Sequence, residues 1–503
     1  MTQLGARTLI ALLASLLLAA CVRAPVESVP RGNDRSQIAA RLQADIAVLA
    51  SDEFAGRKAG TAGEEKTLAY LEKRMGEVGL VSGTNDPGSY WRMPVELLAT
   101  HPVSGTLTLE QGRRTVIVPQ SDAAVFTPRR RALATSGPGT GVPVVFVGYG
   151  DGSVLGDALA GAVAVMLAEP GRDPARREAL FRQRATAVVT VVPDPQTLAL
   201  IRAREGRERL QLASEEQDTL AAYVTDAALA DMIGARRWQT LKAEAQAPDF
   251  APLELNLAVS IEAAAERRSF TSANLLGRIP GSKPGAGAIL LLAHWDHLGE
   301  CGLPDAADRI CNGAADNASG LAAMLELARR LKAGKPLARD IYVLATSAEE
   351  DGLLGARAFV NATPLPLTSI VAAFNFDMVA LAPQGSPLGF IGRGQNPALD
   401  AAILDAVARS GRTIGDQTLA DSFVPRQDGW ALVQQGVPAV LLSSTYGSRE
   451  ILRPFLETRY HRPSDDVASV ELGGAIDDLL LHERLIRQLA DPERYQPALA
   501  AQP

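Results

Sequence analysis

The sequence predicts an α/β fold, a mostly parallel mixed sheet between two layers of helices, on three observations. Four apolar runs of strand length recur in the second half of the 503-residue chain. Each leads into a His or an acidic residue. The segment between the first two runs has helical periodicity.

Ala288 to Ala293 is apolar throughout, as a strand covered on both faces requires, and His294 follows it directly. Leu321, Met324, Leu325, Ala328 and Leu331 then recur at helical spacing, with Ser319 as the expected N-cap and Gly334 and Pro336 as stop signals. Ile341 to Ala345 leads into Glu349-Glu350, and Ile370 to Phe374 precedes Asp377. Val437 to Leu442 approaches the segment that ends at His461. In open α/β sheets the carboxyl ends of the strands share a crevice, so these polar residues are expected to meet. Asp316 is expected at the mouth of a helix, where free backbone N–H groups and the positive dipole end favour an ionised carboxylate.

Two imidazoles and three carboxylates can hold two divalent ions, with one carboxylate shared and a further glutamate free to handle protons. The candidates are His294, Asp316, the Glu349-Glu350 pair, Asp377 and His461, and the chain has only 5 histidines from which to draw two. Asp296 is read as the carboxylate that accepts the other ring N–H of His294 and fixes its tautomer. His297 is read as a pocket wall or an outer support, and His101 and His482 as surface or packing residues.

A content of 47% hydrophobic and 21% charged residues is a normal globular balance, and a net charge of −7 leaves no basic footprint for nucleic acid.

The runs His294-x-Asp296, Asp316-Asn317-x-Ser319-Gly320, Glu349-Glu350, Asn375-x-Asp377 and Tyr460-His461-x-Pro463-x-Asp465 resemble the motif series of the co-catalytic zinc aminopeptidases, the family that also contains the glutamate carboxypeptidases. Leu49 to Arg57 with Gly60-Thr61-Ala62-Gly63 is similar to the opening of that family. The resemblance implies a three-layer αβα fold and two zinc ions, with cobalt or manganese as possible substitutes. It implies that Asp316 bridges, that His294 and Asp377 complete one site and Glu350 and His461 the other, and that Glu349 is the general base. The related two-zinc group that shares the Glu-Glu pair lacks the Asp-Asn-x-Ser-Gly run. Where the family has Ser-Asp-His before the last strand, this chain has Gln427-Asp428-Gly429-Trp430, which affects the substrate cleft and leaves the ligands intact; Trp430 is expected to fill space there.

At the amino end, Arg7 precedes an apolar run that ends in Leu18-Ala19-Ala20-Cys21 and resembles the lipobox of a bacterial lipoprotein. Residues 1–21 are then a signal peptide and Cys21 the lipidated residue. Residues 22–35 are a tether, and Val22 favours the outer membrane, facing the periplasm; ordinary signal cleavage is the alternative. Residues 36–118 and 253–495 are expected to form the catalytic domain and 119–252 an insert. In the insert, Val144 to Gly150 followed by Leu159 to Val165 is similar to the β-rich protease-associated domain. Cys301 and Cys311 could pair across a short loop, worth roughly 3 kcal/mol, or remain free thiols. The expected function is a metallo-exopeptidase acting on peptides, an aminopeptidase first. A glutamate carboxypeptidase-like enzyme, a glutaminyl cyclase-like acyl transferase and a non-catalytic receptor-like relative are the alternatives.

Overall fold

The computed structural model describes residues 34–496 apart from 85–90, 139, 141, 153–158, 216–218 and 304. The expected leader, Cys21 and all but the end of the tether lie outside the described residues.

The larger sheet runs in the order Gly389–Ile391, Ala439–Ser443, Ile370–Asn375, Ala288–His294, Asp340–Thr346, Ala258–Ile279, Arg92–Gln111, Arg114–Ile117. Ala439–Ser443 through Asp340–Thr346 are parallel, and the strands on either side are antiparallel. Continuous apolarity in the parallel strands has a direct cause, since alternate side chains feed two different layers. Ile289, Leu291, Ile341 and Val343 pack with Leu321, Leu325, Leu71 and Leu479 from helices on one face. Leu290, Leu292 and Leu344 pack with Phe359 and Leu432 from the other.

From Ala288–His294 the chain adds Asp340–Thr346 on one side, then crosses to add Ile370–Asn375 on the other. That reversal opens a crevice at the carboxyl ends of the three strands.

His482, on the helix Leu472–Leu489, sits under this crevice with its ring 5.6 Å from Phe374 and 4.9 Å from Phe376, and its Nδ1 is 2.7 Å from the Asp478 carbonyl. Burial draws its pKa down from 6.5 to about 4. The unfolded chain therefore takes up the proton first. The associated stability is complete above pH 6.5 and is lost as pH falls toward 4, by about 3 kcal/mol. His482→Phe should flatten that limb in urea titrations between pH 7 and 4; an unchanged acid slope would exclude His482 as its source.

The second sheet runs Leu253–Leu255, Val144–Gly148, Val163–Leu167, Ala187–Val192, Ala221–Thr225, Ala123–Phe126, with its four middle strands parallel. Helix Asp173–Arg182 connects Val163–Leu167 to Ala187–Val192, and helix Pro195–Glu205 follows Ala187–Val192. Two strands from the same stretch of chain join the larger sheet instead: Ala132–Ser136 pairs with Ala258–Ile279, and Arg209–Leu212 with Arg92–Gln111. Residues 119–252 are thus stitched into the main sheet at two places. Cys301 and Cys311 form a disulfide, with Cα atoms 5.7 Å apart, beside the short ladder of Gly299-Glu300 and Ile310-Cys311.

Candidate metal centre

The crevice collects the polar residues at the strand ends. His294 is the last residue of its strand, Glu349 and Glu350 follow Asp340–Thr346, and Asp377 follows Ile370–Asn375. Asp316 lies in a wound turn, Ala314–Ala318, ahead of helix Ser319–Ala333, and His461 lies in the turn beyond helix Arg449–Thr458. Ser319 begins the helix and does not cap it from outside: its hydroxyl donates to the Ala315 carbonyl and accepts from Val379 N–H, because the turn before it is already wound.

Asp316 faces both ways. Its Oδ1 is 3.3 Å from His294 Nε2, and its Oδ2 is 3.5 Å from His461 Nε2. Asp377 Oδ1 is 3.5 Å from His294 Nε2, and Glu350 Oε2 is 2.9 Å from His461 Nε2. One ligand atom each from His294, Asp316 and Glu350 all fall within 4.8 Å of one another. Asp377 Oδ1 and His461 Nε2 are buried and make no hydrogen bond among the described residues. Polar atoms that come this close without pointing at each other converge on a shared centre, and buried polar atoms need a partner. An imidazole and carboxylate set converging in this way fits divalent cations.

The charges support the fit. Burial pushes Asp296 up to about 8 and Asp377 up, and it raises Glu349 well above the ordinary carboxylate range with help from Glu350 and against the pull of His294. Burial also works on Asp316, but the nearby His294 and His461 imidazoles outweigh it and hold that carboxyl well below its ordinary value. Glu350 falls to about 2, since His297 and His461 overcome both burial and the nearby Asp316. His461 rises to about 10 against burial, through Asp316 and Glu350. Carboxylates crowded at this density require positive charge among them, which protons on the imidazoles or metal ions can supply.

Other groups hold these side chains in place. The Asp296 carboxylate accepts the backbone N–H of Glu349 at 3.0 Å and of Glu350 at 3.4 Å. His294 Nδ1 lies 3.2 Å from the Asp296 backbone carbonyl and 3.9 Å from its carboxylate, so the carbonyl, and not the side chain expected from sequence, takes the ring proton. The carboxylate is drawn away by the two N–H groups of the glutamate turn. Asp465 accepts from Ala315 N and Asp316 N, both at 3.0 Å. His297 contacts Glu350 at 2.6 Å.

Arg57 went unassigned in the sequence, although it closes the conspicuous Ala55-Gly56-Arg57 turn. Its guanidinium, fully buried, donates to the carbonyls of Leu49, Trp295, Asn312 and Gly313, tying the amino-terminal segment to the loops on both sides of the cluster. Arg57→Met orphans four acceptors and is expected to cost roughly 3–5 kcal/mol in urea denaturation. A lysine should rescue little, because one ammonium cannot span the fork. Wild-type stability in either variant would show that Arg57 bears no such load.

Asp316, Glu349 and Asp377 open onto a hollow also lined by Met378, Phe423, Arg426, Tyr446 and Tyr460. Tyr460 stacks on His461, with ring centroids 3.7 Å apart. Trp430, expected to fill this cleft, is not in its lining; Phe423 and Arg426 take that place, and Asp428 is buried against the Thr346 hydroxyl.

Residues 274–479, which contain every ligand candidate, match the family described as peptidase family M28. A vacuolar membrane protease of Schizosaccharomyces japonicus is 40% identical over 95 residues, 19% of this chain and 10% of the relative. One of Lachancea thermotolerans is 35% identical over 103 residues, 20% of this chain and 10% of the relative. The matched segment thus spans about a tenth of the length of these curated relatives. Among solved structures, an aminopeptidase from Aneurinibacillus sp. strain AM-1 shares the fold, with a TM-score of 0.55 and 20% identity, covering 92% of this chain and 96% of that one. The bacterial outer-membrane address expected from the leader is overturned by the curated relatives, which are fungal and named for the vacuolar membrane. The family match runs through the same strand ends that build the cluster, so residues 274–479 carry a region similar to peptidase family M28.

Proposed function

We propose that the chain is a two-metal exopeptidase, with zinc as its metal, that removes residues from the amino end of peptides. The observation that carries this reading is the division of Asp316, whose two oxygens address two separate imidazole and carboxylate pairs. One ion would be held by His294, Asp377 and Asp316, the other by His461, Glu350 and Asp316. Such ions supply Lewis-acid polarisation of the scissile carbonyl and acidify water.

The chain's own residues do the rest. Glu349 is half-buried at the edge of the hollow, with its backbone pinned by Asp296, and serves as the base that takes a proton from water and returns it to the leaving amine. Met378, Phe423 and Tyr446 offer an apolar wall for a side chain. The amino-end preference rests on the motif resemblance and on the aminopeptidase that shares the fold.

Cleavage of a peptide library with free and acetylated amino ends, with and without a chelator, tests the reading. Loss of single residues from free amino ends, abolished by chelation, is expected. Cleavage of acetylated peptides, or release from the carboxyl end, would refute the amino-end assignment.

A further inference from the structure

His297 is the one imidazole at the site left without a task, and its surroundings are unusually constrained. The side chain is fully buried, and the backbone N–H donates to the Arg57 carbonyl at 3.4 Å. Gly313 leaves room for the ring: a Cβ there would stand 2.7 Å from His297 Cδ2. On its other side the ring meets His461 edge-on, with centroids 5.8 Å apart.

The Glu350 carboxylate is divided between two imidazoles. Oε1 is 2.6 Å from His297 Nδ1, and Oε2 is 2.9 Å from His461 Nε2. Among the described residues, His297 supplies the only hydrogen bond to that carboxylate. Two of the other candidates have separate supports: the His294 ring is braced by the Asp296 carbonyl and the backbone of Asp316 by Asp465. A glutamate has three torsions to immobilise, and a buried carboxylate oxygen without a donor is costly. Groups that hold a ligand from behind are worth about 10- to 100-fold in metal affinity.

We infer that His297 is a positioning residue for one half of the metal centre, donating from Nδ1 to Glu350 Oε1 so that Oε2 is presented together with His461. This rests on the two-metal reading above. The dependence is asymmetric. The half built by Glu350 and His461 needs His297, and the half built by His294 and Asp377 does not.

Zinc titration of the metal-stripped full chain, followed by calorimetry with a competing chelator, tests the inference without reference to activity. His297→Phe keeps a ring in the space and removes the donor. His297→Asn places an amide N–H where Nδ1 stood and removes Nε2. The wild type should show two binding events. In the Phe variant one of them should weaken by about 10- to 100-fold while the other holds, and the Asn variant should recover most of the loss. If the Phe variant does not fold, His297→Ala takes its place beside the Asn variant. Two unchanged events in the donor-less variant, equal weakening of both, or an Asn variant as weak as the Phe variant would overturn the inference. A wild type that binds no zinc would instead overturn the two-metal reading itself, so the two failures are distinguishable.

Discussion

Glu349→Gln is expected to lose roughly 10²–10⁴-fold in turnover while keeping the metal content of the wild type. Glutamine has the same shape and can still be seated by the Asp296 contact to its backbone N–H. It cannot carry a proton. Glu349 is also absent from the close approaches among the ligand atoms, which involve His294, Asp316, Glu350, Asp377 and His461. Burial first, then the charges of Glu350, Asp428 and Asp377 acting against His294, raise its carboxyl well above the ordinary range. A raised carboxyl binds a proton more firmly than a free glutamate, which suits a group that takes one from water. Metal analysis beside steady-state kinetics checks the claim. Full turnover in the variant would remove Glu349 from the chemistry, and metal loss equal to that of a ligand variant would make it a ligand.

Asp316→Asn should have the opposite signature, with metal and activity lost together. The two carboxylate oxygens serve different halves of the cluster, so a single substitution weakens both. An amide presents one acceptor and one donor, and the donor faces a cation. The loss in affinity should be roughly 100-fold or more, exceeding the 10- to 100-fold expected when only a supporting group is removed. The fold should survive, because Asp465 holds the backbone N–H groups of Ala315 and Asp316, which the substitution leaves in place. Retention of two ions per chain in this variant would contradict the bridging role.

Much of this was legible in the sequence, for a physical reason. A strand buried on both faces must be apolar along its whole length, so Ala288 to Ala293 and Ile370 to Phe374 announce themselves, and the first polar residue beyond each falls at the crevice. What the sequence withheld was which polar atom meets which. Asp296 lies two residues after His294, and proximity suggested that its carboxylate braces the ring. The carboxylate instead turns to the glutamate loop more than fifty residues away, and the nearer carbonyl does the bracing. Arg57 acts on Trp295 across 238 positions, a link with no local signature. In the segment 119–252, β-branched runs such as Ala187 to Val192 were readable as strands. The helices between them were not, because Asp173–Arg182 and Pro195–Glu205 are short, arginine-rich and only weakly amphipathic.

The central claim is that Asp316 stands between two cations. Anomalous diffraction at the zinc edge from crystals of the zinc-loaded chain tests it most directly. Two peaks should flank the Asp316 carboxylate, one against His294 and Asp377 and the other against Glu350 and His461. Zinc peaks only at other places on the molecule, or none within reach of these five side chains, would contradict it.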